Sequence, residues 1–284
     1  MSLNFFRARV GPEECLKSNI VPTTDRISAC FSRLKLAATS GLVTYIPVGY
    51  PSLAETPGLV AALIEGGACI VELGVPFSDP LADGATIQRA THQALLNGVT
   101  LKDCLQVAST ARARFPDVPL VFMGYYNSFL QYGLEAICDD AIRAGVDGFI
   151  VIDLPPEEAE LFSSHCKRVG ASLIFLLAPT STEERIEKVA ALASGFVYCV
   201  SVTGVTGART ALPPDLSDFV NRVRKHIRIP IAVGFGVSQR EHVLAISKVA
   251  DAVVVGSALV DVVEQSDANG RAEKLRAYVH ELVG

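Results

Sequence analysis

Cations are scarce in this chain wherever a polyanion would need them. Lys and Arg number 25 against 30 Asp and Glu, a net charge of −5, and no run of basic residues interleaves with aromatics, which excludes a nucleic-acid-binding face. The seven cysteines (Cys15, Cys30, Cys69, Cys104, Cys138, Cys166 and Cys199) are odd in number and contain no CxxC pair. A disulfide framework and a zinc site are thereby excluded, and the thiols read as small buried hydrophobes in a reducing compartment. Gly, Pro or charged residues break every apolar run well before the ~18–20 residues of a membrane span, so a soluble, cytoplasmic protein is expected. Residues 1–24 lack the long apolar stretch of a secretory signal and read as a disordered or helical extension, which leaves a plastid location open.

Other absences concern chemistry. There is no Walker motif, and Gly234-Phe235-Gly236 lacks the third glycine of a dinucleotide fingerprint. All eight lysines fall in the N-terminal region or on predicted outer helices, so none is placed to form a Schiff base. The five histidines (His92, His165, His226, His242 and His280) also fall on helical stretches and read as solvated, which disfavours zinc or histidine acid-base chemistry.

What is present is a repeat. Half the residues are hydrophobic, and from Leu42 onward eight apolar, β-rich runs alternate with amphipathic stretches: Leu42–Val48, Cys69–Val75, Leu120–Met123, Gly148–Ile152, Ser172–Leu177, Phe196–Ser201, Ile229–Val233 and Ala252–Val255. Repeated βα units without a linker or composition shift predict an α/β fold with one domain over 25–284, a closed (β/α)8 TIM barrel. An additional N-terminal helix is predicted over Asp25–Ala38, capped by Asp25, with Ile27, Phe31 and Leu34 on one face. Active sites of such barrels lie on the loops after the strand ends, where Gly and Pro recur in this sequence.

The most unusual of these loops follows the second strand, which contains Ile70-Val71-Glu72-Leu73-Gly74. Period-two alternation puts Ile70, Glu72 and Gly74 on one face, and if Val71 and Leu73 pack under the outer helices Glu72 points into the barrel. No Arg or Lys lies in any strand core to pair with it, so its pKa should be raised, as a proton donor near neutrality requires. A structural Glu–Arg pair is the competing reading. Asp79 and Asp83 follow on a Pro-rich loop, where turn formation or helix capping competes with a role in chemistry. The Asp79–Gly84 stretch lacks the closing Glu of a calcium loop, so no metal is expected. Glycine-bearing segments after the last three strands, Gly204-Val205-Thr206-Gly207, Gly234-Phe235-Gly236 and Gly256-Ser257, match the phosphate site of such barrels. These residues define a phosphate-anchoring barrel whose acid-base work falls to carboxylates, with Tyr198 in reserve.

The 13-residue block from Glu72 to Gly84 resembles the signature of tryptophan synthase α subunits, and the likeness extends through Tyr45, Pro51, Asn127, Asp153-Leu154-Pro155, Tyr198, Gly207, Gly236, Gly256 and Ser257. The resemblance implies a lyase that splits indole-3-glycerol phosphate into indole and glyceraldehyde 3-phosphate. On that likeness Glu72 is the catalytic acid-base, Asp83 the acceptor of the indole N–H and Tyr198 the neighbour of the reacting carbons. Tyr45 and Tyr125 line the indole pocket, Asn127 joins the substrate site, and Gly207, Gly236, Gly256 and Ser257 hold the phosphate. Thr206 closes over the substrate, Asp153 positions that closing unit, and Asp79 lies at the partner interface. The implied partner is a β subunit carrying pyridoxal phosphate in an α2β2 complex, the α chain itself needing no cofactor. A stand-alone lyase releasing free indole shares every catalytic residue, and a non-catalytic barrel that only activates a β subunit is the alternative from another class. Tyr50 departs from an Asp frequent in the family, as Val202-Thr203 departs from Arg-Ala.

Overall fold

The computed structural model describes residues 25–200, 215–234 and 236–284. Its strands are β1 (Gly41–Pro47), β2 (Ile70–Gly74), β3 (Leu120–Gly124), β4 (Gly148–Val151), β5 (Ser172–Ile174), β6 (Leu176–Leu177), β7 (Val197–Val200), β8 (Ile231–Gly234) and β9 (Ala252–Val255). All pairings are parallel, in the order β5-β4-β3-β2-β1-β9-β8-β7-β6. The first and last strands pair with each other, while β5 and β6 are two halves of one predicted strand interrupted at Phe175. The first half pairs with β4 and the second with β7. Nine short strands thus make the expected eight-stranded ring.

The helices, in chain order, are α1 (Arg26–Leu36), α2 (Thr56–Gly66), α3 (Ala85–Leu96), α4 (Leu101–Arg114), α5 (Tyr126–Tyr132), α6 (Leu134–Ala144), α7 (Glu160–Val169), α8 (Glu183–Leu192), α9 (Leu216–His226), α10 (Arg240–Ile246), α11 (Ser257–Glu264) and α12 (Arg271–Val283), and those after α1 surround the ring. Local chemistry sets several ends. Asp25 accepts from the Ser28 backbone N–H at 3.0 Å to cap α1, and Thr100 forms a capping box with Asp103 on α4. Gly67, Gly145 and Gly170 take the left-handed conformation that stops α2, α6 and α7.

Strand parity divides the apolar residues into two cores. Outward residues such as Val71, Leu73, Phe122, Phe149 and Val253 pack under the helices. Inward residues, Val43, Ile70, Val121, Ile150, Ile174, Phe196, Ala232 and Ala252, fill the barrel itself. The added helix has a purpose that its sequence did not disclose: Ile27, Cys30 and Phe31 of α1 belong to that inner core, so α1 plugs the N-terminal mouth, with the Phe31 and Phe196 rings 5.7 Å apart. The opposite mouth holds a cleft. Of the described cysteines, all but half-buried Cys69 are buried, as expected. His242 departs from expectation: it is buried, and its Nδ1 accepts from the Ser238 backbone N–H at 3.4 Å, because α10 turns that face toward the core.

Candidate active site

At the open mouth lies a cleft of about 630 Å³, including the part open to solvent, lined by Tyr45, Glu72, Asp83, Tyr198, Gly236, Gly256 and Ser257 among others. The register explains how three side chains meet there. Tyr45 on β1 is level with Glu72 on β2, and Glu72 is level with Val121 on β3, all with inward parity. Tyr198 enters from β7 across the ring. Each tyrosine leans over a glycine of the next strand. A Cβ on Gly74 would sit 2.7 Å from Tyr45 Cζ and 2.8 Å from Cε2, and a Cβ on Gly234 would sit 2.5 Å from the Tyr198 hydroxyl. Only glycine leaves space for these rings.

Glu72 is fully buried, and neither carboxyl oxygen has a hydrogen-bond partner among the described residues. Burial alone, with no cation among the described residues to offset it, pushes its pKa up to about 8. The competing ion-pair reading is thereby removed. Asp83 sits half-buried above it. It does not cap α3, whose N-cap is Gly84; instead its Oδ2 accepts from the Tyr125 hydroxyl at 3.1 Å, and that hydroxyl accepts from the Ala82 backbone N–H at 3.0 Å. Burial raises the Asp83 pKa to about 6, with the Tyr125 bond opposing. The two carboxyls therefore differ at neutrality: Glu72 is mainly protonated and Asp83 mainly ionised. Burial also raises Tyr45 and Tyr198, with the two carboxylates adding to the effect, so both phenols stay neutral.

The far wall suits an anion. Gly256 precedes α11, whose first-turn backbone N–H groups at Ser257 and Ala258 border the cleft, and Gly236 turns there with φ of +68°. A helix N-terminus with free N–H donors holds a phosphate without a cation. Among the described residues no Lys or Arg lines the cleft.

Other sequence-predicted residues are placed differently. Tyr125 acts through Asp83 and stacks on Phe77 at 5.0 Å rather than lining the cleft. Asp153 is exposed and accepts from the Tyr126 backbone N–H at 2.7 Å, which caps α5. Asn127, also on α5, is exposed, with its side-chain oxygen 3.4 Å from the Gln131 amide; the structure does not bring it into the cleft. Asp79 is exposed on the β2–α3 loop and accepts from Ser78. Thr206 and Gly207 lie outside the described residues. Sequence reasoning missed Ile87, Met123, Val237 and Val254, which supply apolar wall. Met123 and Val254 share the inward parity of their strands and were legible from it, whereas Ile87 depends on where the first turn of α3 is placed.

A parallel barrel whose cleft brings together a buried unpaired acid, a second carboxyl bonded to Tyr125 and the first turn of α11 has the features of an acid-base enzyme for an anionic substrate. Comparison with known proteins narrows the class. The family model described as tryptophan synthase alpha chain matches residues 31–283. The tryptophan synthase alpha chain of Roseiflexus castenholzii is 48% identical over 91% of this chain and 99% of its own length, and that of Dehalococcoides mccartyi is 50% identical over 90% and 97%. A solved structure of Mycobacterium tuberculosis tryptophan synthase superposes with a TM-score of 0.84 at 37% identity, covering 90% of this chain and 96% of that one. The chain belongs to the tryptophan synthase alpha chain family. It is accordingly a lyase of tryptophan biosynthesis that cleaves indole-3-glycerol phosphate.

Proposed function

We propose that the cleft carries out this cleavage with Glu72 as proton donor and Asp83 as the anion that steadies the indole nitrogen. The single observation that supports the reading is the unpartnered, fully buried Glu72 carboxyl facing the cleft. The phosphate rests on the first turn of α11 and the Gly236 turn, and the indole ring lies among Tyr45, Tyr198, Ile87 and Met123. Glu72 gives its proton to indole C3, and the positive charge that develops on the ring nitrogen is balanced by Asp83. The glycerol hydroxyl then loses its proton to the Glu72 carboxylate. Its oxygen becomes the aldehyde carbonyl, and the electrons of the C3–glycerol bond return to the ring, which leaves as indole. Glu72 ends protonated, and no cofactor enters the balance. Thr206 and Gly207, which follow β7 in the sequence, complete the substrate site, and Asn127 and Asp153 support it through α5.

A β subunit is the implied partner of an alpha chain, and we place its docking surface at the loop bearing Asp79, in an α2β2 assembly, with pyridoxal phosphate held by the β subunit. No described helix is long and apolar enough to cross a membrane; the cytoplasm is the proposed location. The decisive experiment is steady-state indole release by Glu72→Gln. Its kcat should fall at least ~10²-fold with little change in substrate binding. Unchanged turnover refutes the mechanism.

A further inference from the structure

Why Glu72 is dry is a question of geometry. It stands on a short parallel strand one layer below the mouth, and a carboxyl at that height would meet water unless something covered it. Its register neighbour Tyr45 starts at the same level on β1 and leans toward the mouth, so that its ring passes over Gly74, the next inward position of β2 after Glu72. The ring therefore covers the β2 position next to Glu72 on the mouth side, while the carboxyl keeps its face toward the cleft. The fit leaves no slack, because the ring carbons lie 2.7 and 2.8 Å from where a Cβ on Gly74 would stand. Tyr45 is itself buried, and Gly256 supports its other flank, with a hypothetical Cβ there 3.5 Å from Tyr45 Cβ.

We propose that the Tyr45 ring, seated over Gly74, is a positioning residue that seals Glu72 from water and so keeps it in the protonated form the reaction needs. The inference rests on the reading of Glu72 as proton donor. The cover acts by occupying space and not by a hydrogen bond to Glu72, since neither Glu72 oxygen has a partner among the described residues, while the hydroxyl end of the Tyr45 ring lies over Gly74 and bonds Thr91 of α3. Among the described residues the other titratable groups around Glu72 are Asp83 from the loop after β2 and Tyr198 from β7, with Tyr125 behind Asp83. The remaining described residues lining the cleft are uncharged. None is a cation, so hydration is the main variable the fold can use to set the proton affinity of Glu72.

Three variants of the full-length chain test this through the pH profile of kcat/KM and through carboxyl titration of 13C-labelled Glu72 by NMR, which needs no turnover. Tyr45→Phe keeps the ring and should leave the alkaline limb and the NMR midpoint within a few tenths of a pH unit of wild type. Tyr45→Ala opens the seal, and both should move to lower pH by at least one unit. Gly74→Ala displaces the ring from the other side and should shift both in the same direction, which covers the case in which Tyr45→Ala does not fold. If Tyr45→Ala or Gly74→Ala folds with the midpoint of Glu72 unmoved, the seal is disproved. So it is if Tyr45→Phe shifts the midpoint as far as Tyr45→Ala. Failure of the underlying mechanism gives a different signature: Glu72→Gln turning over normally while the NMR midpoint still responds to Tyr45→Ala.

Discussion

A single carboxyl group sets two opposing demands on this chain. Glu72 has its pKa raised from 4.5 to about 8 by burial, so the folded state holds a proton that the unfolded state releases. Below the unfolded value both states are protonated and the residue costs nothing on this account. As pH rises from 4.5 toward 8, stability is lost steadily, and the loss levels off above the folded value. At pH 7 the penalty is on the order of 3 kcal/mol. Glu72→Gln, which does not titrate, should therefore gain stability over wild type as pH rises from 5 to 8.5, while losing activity; urea denaturation at the two pH values checks this. Activity has its own window. With Asp83 required ionised and Glu72 required protonated, kcat/KM should trace a bell with an acid limb near the Asp83 value of about 6 and an alkaline limb near 8. Asp83→Asn should lower kcat/KM and abolish the acid limb; a limb unchanged in that variant assigns it elsewhere. The inward aim of Glu72 was legible because side chains alternate on a strand. The reason for Gly74 was not, since the ring that needs the space comes from β1 and only register reveals it.

Elements follow their local signals until tertiary packing intervenes. Asp25 caps α1 as its sequence promised, yet nothing in the helix itself said that Ile27 and Phe31 would enter the barrel, because plugging depends on the ring being closed above it. The run Ser172–Leu177 reads as one strand, and its neighbours divide it: β4 and β7 lie on opposite sides and at different heights, so pairing changes partner at Phe175. The end of α1 also carries a local conflict. Ala38 takes φ of +52° as the Thr39 backbone N–H reaches the Leu34 carbonyl at 3.0 Å, a closing turn in which α2, α6 and α7 use glycine. A Cβ in the left-handed region costs roughly 1–2 kcal/mol, partly offset by the greater unfolded freedom of glycine. Ala38→Gly should thus stabilise the chain by about 1 kcal/mol, read as a higher urea midpoint with unchanged indole release. A lower midpoint would show that the turn does not hold Ala38 as described.

At the scale of the whole molecule, the two mouths of the barrel have separate tasks. The closed end is tied by Asp147, whose carboxylate accepts from Arg26, Arg112 and the Leu120 backbone N–H, all far from the cleft. The open end carries the two carboxyls, the first turn of α11 and the loop between β2 and α3. That loop links site and surface. Asp83 closes it on the inside through Tyr125, while Leu81, two residues away, stands 89% exposed beside Asp79. An apolar side chain that far into solvent gains only by being covered, and a partner docked there presses on the segment that holds Asp83. The β subunit should then raise indole release by fixing Asp83 rather than by adding a catalytic group. Leu81→Asp should weaken activation by the β subunit at least tenfold in the concentration required, and leave the basal rate of the isolated chain within about twofold. Activation that saturates at the same β-subunit concentration in wild type and variant would move the interface away from this loop.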